Sequence, residues 1–364
     1  MTKDAVLAAL ARVQDPLTGR PLQPEHRVRD LLVQGAMASF KLVMPGLANE
    51  AKFQLIAACE AAVKPVLPQG EGTPDVHVQL LTDAKPGDTS MALPQVTNVV
   101  AVASGKGGVG KSTVSVNLAL SLKRQGLRVG LIDADLYGPS IPTMLKLQGQ
   151  RPRVQEVYGK PKLVPLEAYG MPCISIGNII EPEQAVVLRG PRLAGIIKQF
   201  FLEVVWPELD VLVVDLPPGT GDIQLTLVQT VPVTGAVLVT TPQEVAVVDA
   251  VKAMNMFRLP NVNVPLLGVV ENMSWFTPED LPDRKYRLFG EGGGKSLARQ
   301  ANTMLLGQIP LVQGIGEASD AGEPPAVNPN HPAAVYYADV ARKLLRQLAL
   351  RHESLPPTRA VQVL

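Results

Sequence analysis

From residue 98 onward the chain alternates short apolar runs with longer segments of helical spacing. The runs Val99–Ala103, Val129–Ile132, Val211–Val214, Ala236–Val239, Leu266–Val270 and Leu305–Ile309 are almost wholly aliphatic. Strands of this kind have no polar face and belong to parallel sheets covered on both sides. The intervening segments Lys111–Arg124, Leu188–Val205, Ile223–Thr230, Glu244–Phe257, Lys295–Asn302 and Ala333–Leu350 predict helices. The pattern predicts a doubly wound, mostly parallel α/β domain over residues 98–351, with a C-terminal tail over 352–364.

The first 83 residues follow another rhythm. Asp4–Val13 is helix-like, and Val28–Val33 and Ser39–Val43 predict two short strands. Asn49–Val66 predicts a helix with Phe53, Ile56, Ala57 and Val63 on its apolar side. Val76–Leu81 alternates apolar and polar residues, as a half-buried strand does. These elements predict a small α+β domain over 1–83. Residues 84–97, opening Ala84-Lys85-Pro86-Gly87-Asp88-Thr89-Ser90, read as a linker.

Composition narrows the class. Hydrophobic residues make up 46% of the 364, enough for a large core, and the formal net charge of +1 gives no basic field for nucleic acid. Two cysteines, Cys59 and Cys173, argue against a disulfide framework and fit a reducing compartment. Met1–Arg12 carry Asp4 and no long apolar stretch, and no run of about 18 apolar residues occurs, so a cytoplasmic protein without a signal peptide or membrane span is expected. Arg342, Lys343, Arg346 and Arg351 alternate with Tyr337, Val340, Leu344, Leu345 and Leu348, the spacing of a last domain helix or of a basic amphipathic helix lying on a membrane. The first is expected and a membrane partner is not.

Chemistry enters between the first strand and the first helix of the large domain. Gly105-Lys106-Gly107-Gly108-Val109-Gly110-Lys111-Ser112-Thr113 fits the phosphate-loop pattern in its required strand-loop-helix setting. Its glycines let the backbone N–H groups turn inward around phosphate oxygens at a helix N-terminus. Lys111 is placed to meet the β- and γ-phosphates of ATP, and the Ser112 hydroxyl to bind Mg²⁺. Lys106 is a second cation in the loop, suited to reach a nucleotide held by a facing subunit, as an arginine finger does. Three further motifs fall at strand ends, where ligands of open parallel sheets bind. These are Asp133-Ala134-Asp135-Leu136-Tyr137-Gly138-Pro139-Ser140, Asp215-Leu216-Pro217-Pro218-Gly219-Thr220-Gly221-Asp222 and Glu271-Asn272-Met273-Ser274. Asp215 has the setting of a Walker B aspartate on Mg²⁺, Gly219 can bring a backbone N–H toward the γ-phosphate, and Asp222 suits a helix N-cap. Gly290-Glu291-Gly292-Gly293-Gly294 is too loosely spaced to define a second phosphate site.

The four motifs in this order resemble the Mrp/ApbC iron-sulfur carriers, within the deviant Walker A class that includes MinD, ParA and the nitrogenase iron protein. The resemblance covers about residues 95–350 and implies a nucleotide-sandwich homodimer that hydrolyses ATP and assembles or transfers iron-sulfur clusters to apoproteins. It implies that Asp135 positions the attacking water, that Asp133 supports Mg²⁺ and that Asn272 reads the adenine. Residues 1–83 are similar, on layout and on Val6–Pro16, to the small domain that precedes this ATPase in many members. One departure matters. Cluster-carrying members have a C-x-x-C soon after the Asn272 motif, whereas Trp275–Tyr286 contains no cysteine. Glu279, Asp280 and Asp283 read there as a solvated turn, Cys59 and Cys173 as small core residues, and no iron-sulfur ligand is identified. Two other functions fit the same motifs: spatial organisation at a membrane in the MinD/ParA manner, and ATP-gated protein interaction without a cluster.

Overall fold

The chain was analysed as a computed structural model, and it builds two separate main sheets. The structure describes residues 3–355 except 16–20, 45–48, 69–73, 82–92, 136–137, 158–159, 181–194, 226–232 and positions 23, 94, 197–198, 202, 222–223, 261, 279, 282 and 313. Most of the two helices predicted over 188–205 and 223–230, and the capping role expected of Asp222, fall outside the described residues.

The N-terminal unit contains α1 (Lys3–Leu10), α2 (Pro24–Arg27), β1 (Val28–Gln34), β2 (Met37–Val43), α3 (Asn49–Val63) and β3 (Asp75–Leu81). β1 pairs antiparallel with β2, which pairs parallel with β3. The predicted elements are present, but of the residues expected on the inward face of α3 only Val63 lies in the core. Leu55, Cys59 and Val63 face the core at i, i+4, i+8, whereas Phe53 is 78% exposed and Ala57 lies on the surface. The stretch is apolar nearly all round, so its composition did not single out the face that α1 and β3 cover.

The larger sheet has eight strands in the order β13-β12-β11-β4-β10-β5-β9-β8. They are β4 (Val99–Ser104), β5 (Val129–Asp133), β8 (Leu166–Ala168), β9 (Met171–Ser175), β10 (Val211–Asp215), β11 (Gly235–Thr240), β12 (Leu266–Glu271) and β13 (Leu305–Gln308). All neighbours pair parallel except β8 with β9. β6 (Arg153–Val157) and β7 (Lys160–Val164) form a separate hairpin. The helices with described bounds are α4 (Lys111–Arg124), α5 (Ile141–Met144), α6 (Glu244–Arg258), α7 (Gly293–Gln300), α8 (Ile315–Asp320) and α9 (Ala334–Ser354).

Strand β4 shows why the aliphatic runs carry no polar face. Val100 and Val102 join the core beneath α4 and α9, while Val99, Ala101 and Ala103 join the core beneath α6 and α7. Both faces are therefore covered. The apolar face of α9, including Tyr337, Val340, Leu344 and Leu348, is buried against the first core. That apolar face is spent on the protein interior, as expected of a last domain helix. No helix among the described residues is long and apolar enough to cross a membrane.

Candidate functional site

The loop between β4 and α4 is held open by two close backbone approaches. A Cβ at Gly105 would lie 2.1 Å from the Asp249 backbone of α6. Gly110 adopts φ of 79°, and a Cβ there would lie 2.2 Å from the Asn272 amide nitrogen. Both positions therefore need glycine for packing as well as for loop shape. Lys106 to Thr113 line a cavity of about 360 Å³, together with Ser104, Asp135, Gly138 and Ser140. The alignment of α4 behind the loop aims the first-turn N–H groups of that helix at the cavity.

One cation and two carboxylates organise the floor. Lys111, only 5% exposed, places its Nζ 2.8 Å from Asp215 Oδ2 and 3.2 Å from Asp135 Oδ2. Burial alone would push the ammonium's pKa down, but Asp215, Asp135 and Asp133 outweigh it and hold the pKa above the ordinary lysine value. Asp215 is fully buried at the end of β10. The Ser112 hydroxyl donates to its Oδ2 at 2.6 Å, and the Ser115 hydroxyl lies 2.6 Å from its Oδ1. Ser115 sits one turn along α4, so the helix that begins with Lys111 also orients the Asp215 carboxylate.

Asp133 lies one layer behind, across from Asp215 in the paired strands. Its Oδ1 accepts from the Asp135 backbone N–H at 3.1 Å and its Oδ2 from Ser175 at 2.8 Å. Burial, followed by the Asp215 charge, pushes this carboxyl up to about 8. Gly219 donates its N–H to the Ser104 carbonyl at 2.9 Å. Asn272, 6% exposed, donates its amide to the Val109 carbonyl at 2.9 Å, bracing the loop from the β12 side.

Three participants were not anticipated from sequence. Ser115 and Ser175 are short hydroxyls inside apolar segments, with no spacing that marks them. Glu271 opens the motif in which sequence gives a role only to Asn272. Its buried carboxylate accepts from the Gly294 N–H and from Gln308, both at 2.6 Å. The N-terminus of α7, where the glycine run 290–294 ends, is thus filled by a side-chain carboxylate. This explains why that run is no phosphate site.

The segment after Asn272 is a pinned excursion. Phe276 bridges to Tyr286 and to Leu311, Trp275 meets Tyr336 edge-on at 6.0 Å, and Lys285 stands 4.4 Å over the Trp275 ring. Asp280 and Asp283 are exposed, and among the described residues no group of three or more His, Cys, Asp or Glu is placed to hold a metal. Cys59 and Cys173 are both buried, one in each main unit. Burial, then the Glu60 charge, pushes the Cys59 thiol up to about 12, and burial raises Cys173 as well.

A phosphate loop on a doubly wound parallel sheet, with its lysine between two strand-end aspartates, defines a P-loop NTPase. A family model described as NUBPL iron-transfer P-loop NTPase matches residues 95–345, and one described as iron-sulfur cluster assembly protein matches residues 3–80. The chain belongs to the NUBPL iron-transfer P-loop NTPase family. An iron-sulfur cluster carrier protein of Synechocystis sp. is 44% identical over 355 residues, covering 96% of this chain and 99% of that protein. One from Deinococcus radiodurans is 45% identical over 349 residues, 96% of each. Among solved structures, a nucleotide-binding protein from Archaeoglobus fulgidus in complex with ADP is 36% identical with a TM-score of 0.56, covering 66% of this chain and 91% of that one. MinD with Mg-ADP from Pyrococcus horikoshii, 21% identical over 67% of this chain and 94% of its own, has a TM-score of 0.50 and shares the fold.

Proposed function

We propose that this protein is a homodimeric Mg²⁺-dependent ATPase that acts in iron-sulfur cluster assembly or transfer to apoproteins, and that the loop after Asn272 does not hold its cargo through thiolates. The observation that carries the ATPase reading is Lys111 suspended between Asp215 and Asp135 on the floor of a glycine-lined cavity. The cargo reading rests on the family and on relatives named as cluster carriers that align along nearly the whole chain.

The geometry suggests how the residues act. In this structure the Lys111 ammonium is neutralised by two carboxylates. A triphosphate in the cavity takes their place as its partner, and the loop N–H groups bind the phosphate oxygens. Asp135 is then released to accept a hydrogen bond from the attacking water and orient it. The residues present suit Mg²⁺: Ser112 and Asp215 would hold it, and it would supply charge neutralisation at the β- and γ-phosphates. Asn272, already against the loop, is assigned the adenine, and Gly219 the γ-phosphate, which its N–H reaches by leaving the Ser104 carbonyl.

Lys106 lines the same cavity but has no assigned task at its own site. In the proposed dimer it serves the nucleotide of the facing subunit. Lys106→Ala alone and Asp135→Asn alone should each be inactive, whereas mixing them should restore part of the activity. One composite site in the heterodimer then keeps Asp135 from the first chain and Lys106 from the second. Phosphate release from mixtures with demonstrated heterodimers checks this, and no recovery would mean that Lys106 serves its own nucleotide.

A further inference from the structure

The last turn of α9 sits at the end of the large sheet opposite the nucleotide site. Its consecutive residues reach different places. Arg351 donates through Nε to the Thr234 carbonyl just before β11, at 3.3 Å. His352 Nε2 lies 2.7 Å from Asn98 Oδ1, just before β4, and the Asn98 amide donates in turn to the Asp210 carbonyl before β10. Burial, then Arg351 and Arg27, push the His352 ring down to about 4, so it is neutral in this contact near pH 7. These two residues fasten α9 to the strand N-termini. Glu353 turns the other way and meets Arg27 of the N-terminal unit, 326 positions earlier, at 3.1 Å.

Arg27 is only 4% exposed although it carries a full charge. Its Nη2 is shared between Glu353 and the buried Asp15 at 3.2 Å, and its Nη1 donates to the Val43 carbonyl at 3.3 Å. Its Nε is buried with no hydrogen-bond partner. Two of its three partners therefore belong to the N-terminal unit, and the third comes from the NTPase. A buried pair of this kind fixes orientation more than it adds stability, because desolvation offsets much of the attraction. Removing Glu353 leaves Arg27 with Asp15 and the Val43 carbonyl, partners in its own unit, so the side chain no longer ties that unit to the NTPase.

We propose that Arg27 and Glu353 form an ionic latch that docks the iron-sulfur assembly-type unit on the rear of the NTPase, away from the phosphate loop. The docking surface is the C-terminal turn of α9, and the occupant is the chain's own N-terminal unit. Helix α9 also packs along α4, the helix that begins with Lys111 and Ser112, and Gln125 at the end of α4 donates to the Ala338 carbonyl at 3.4 Å. The latch therefore ends on a helix in contact with the phosphate-loop helix. The latch is built from these contacts and stands whichever cargo the protein handles.

The test uses the full chain in wild-type, Glu353→Lys and Glu353→Ala forms, read by small-angle X-ray scattering and amide hydrogen exchange. A compact chain of this length has a radius of gyration of about 21 Å. Both variants should exceed the wild-type radius by roughly a tenth or more, and peptides over residues 24–34 should exchange faster. Mg-ATP affinity should remain within about threefold of wild type, since residue 353 is remote from the loop. The alanine variant carries the test if the lysine variant does not fold. Wild-type scattering and exchange in a folded variant would overturn the latch. Loss of Mg-ATP binding in both would overturn it too, by making Glu353 a support of the NTPase fold.

Discussion

Lys111→Ala is expected to weaken Mg-ATP binding by at least about 100-fold, or about 2.7 kcal/mol, and to abolish turnover. The lysine supplies charge-assisted hydrogen bonds to phosphate from the floor of the cavity, and in the proposed dimer Lys106 is turned to the facing subunit. The structure adds a second consequence. Lys111 is the cation lying between Asp215 and Asp135, and Asp215 has no exposure at all. Removing it leaves a buried carboxylate stabilised only by neutral donors. The nucleotide-free protein should therefore also lose about 3 kcal/mol of stability, the low end for a broken buried pair, because Ser112 and Ser115 remain against Asp215. Calorimetric titration and chemical denaturation check the two effects separately. Wild-type affinity in the variant would remove Lys111 from the phosphate site, and wild-type stability would show that the ion pairs contribute nothing.

Asp135→Asn should separate binding from chemistry. Asparagine keeps the shape of the side chain and the backbone N–H that Asp133 accepts, but it cannot take a proton or orient water as a carboxylate does. Affinity for Mg-ATP should stay within about threefold of wild type, while kcat falls by about 10² to 10⁴. Equilibrium binding and phosphate release in the same preparations give both numbers. A variant that hydrolyses ATP at the wild-type rate would transfer the role to another group.

The parts of this molecule that were readable in advance are those whose mechanism is local. The nine residues from Gly105 carry their own turn chemistry, and the six aliphatic strands carry their own burial. Strand ends therefore placed Asp133, Asp135, Asp215 and Asn272 together before any coordinates did. Strands β8 and β9 went unread because Leu166–Ala168 is three residues long and Met171–Ser175 shows no period. The hairpin β6–β7 is mixed in charge and mostly outside either core, so it leaves no hydrophobic signature. Ser115, Ser175 and Glu271 act through hydrogen bonds to residues 23 to 100 positions away. No spacing rule reaches that far. Arg27 and Glu353, near opposite ends of the described chain, mark the same limit.

The cargo claim is tested most directly by iron and sulfide analysis after anaerobic reconstitution, comparing wild type with a Cys59→Ser, Cys173→Ser double variant. Both thiols are buried with raised pKa values, so the thiolate a cluster needs is scarce at each. Binding should be weak and substoichiometric in the wild type and no stronger in the double variant, with ATPase activity the same in both. About four irons per dimer, with a stable charge-transfer band near ~400 nm in the double variant, would contradict the account by showing a cluster held without any cysteine of this chain.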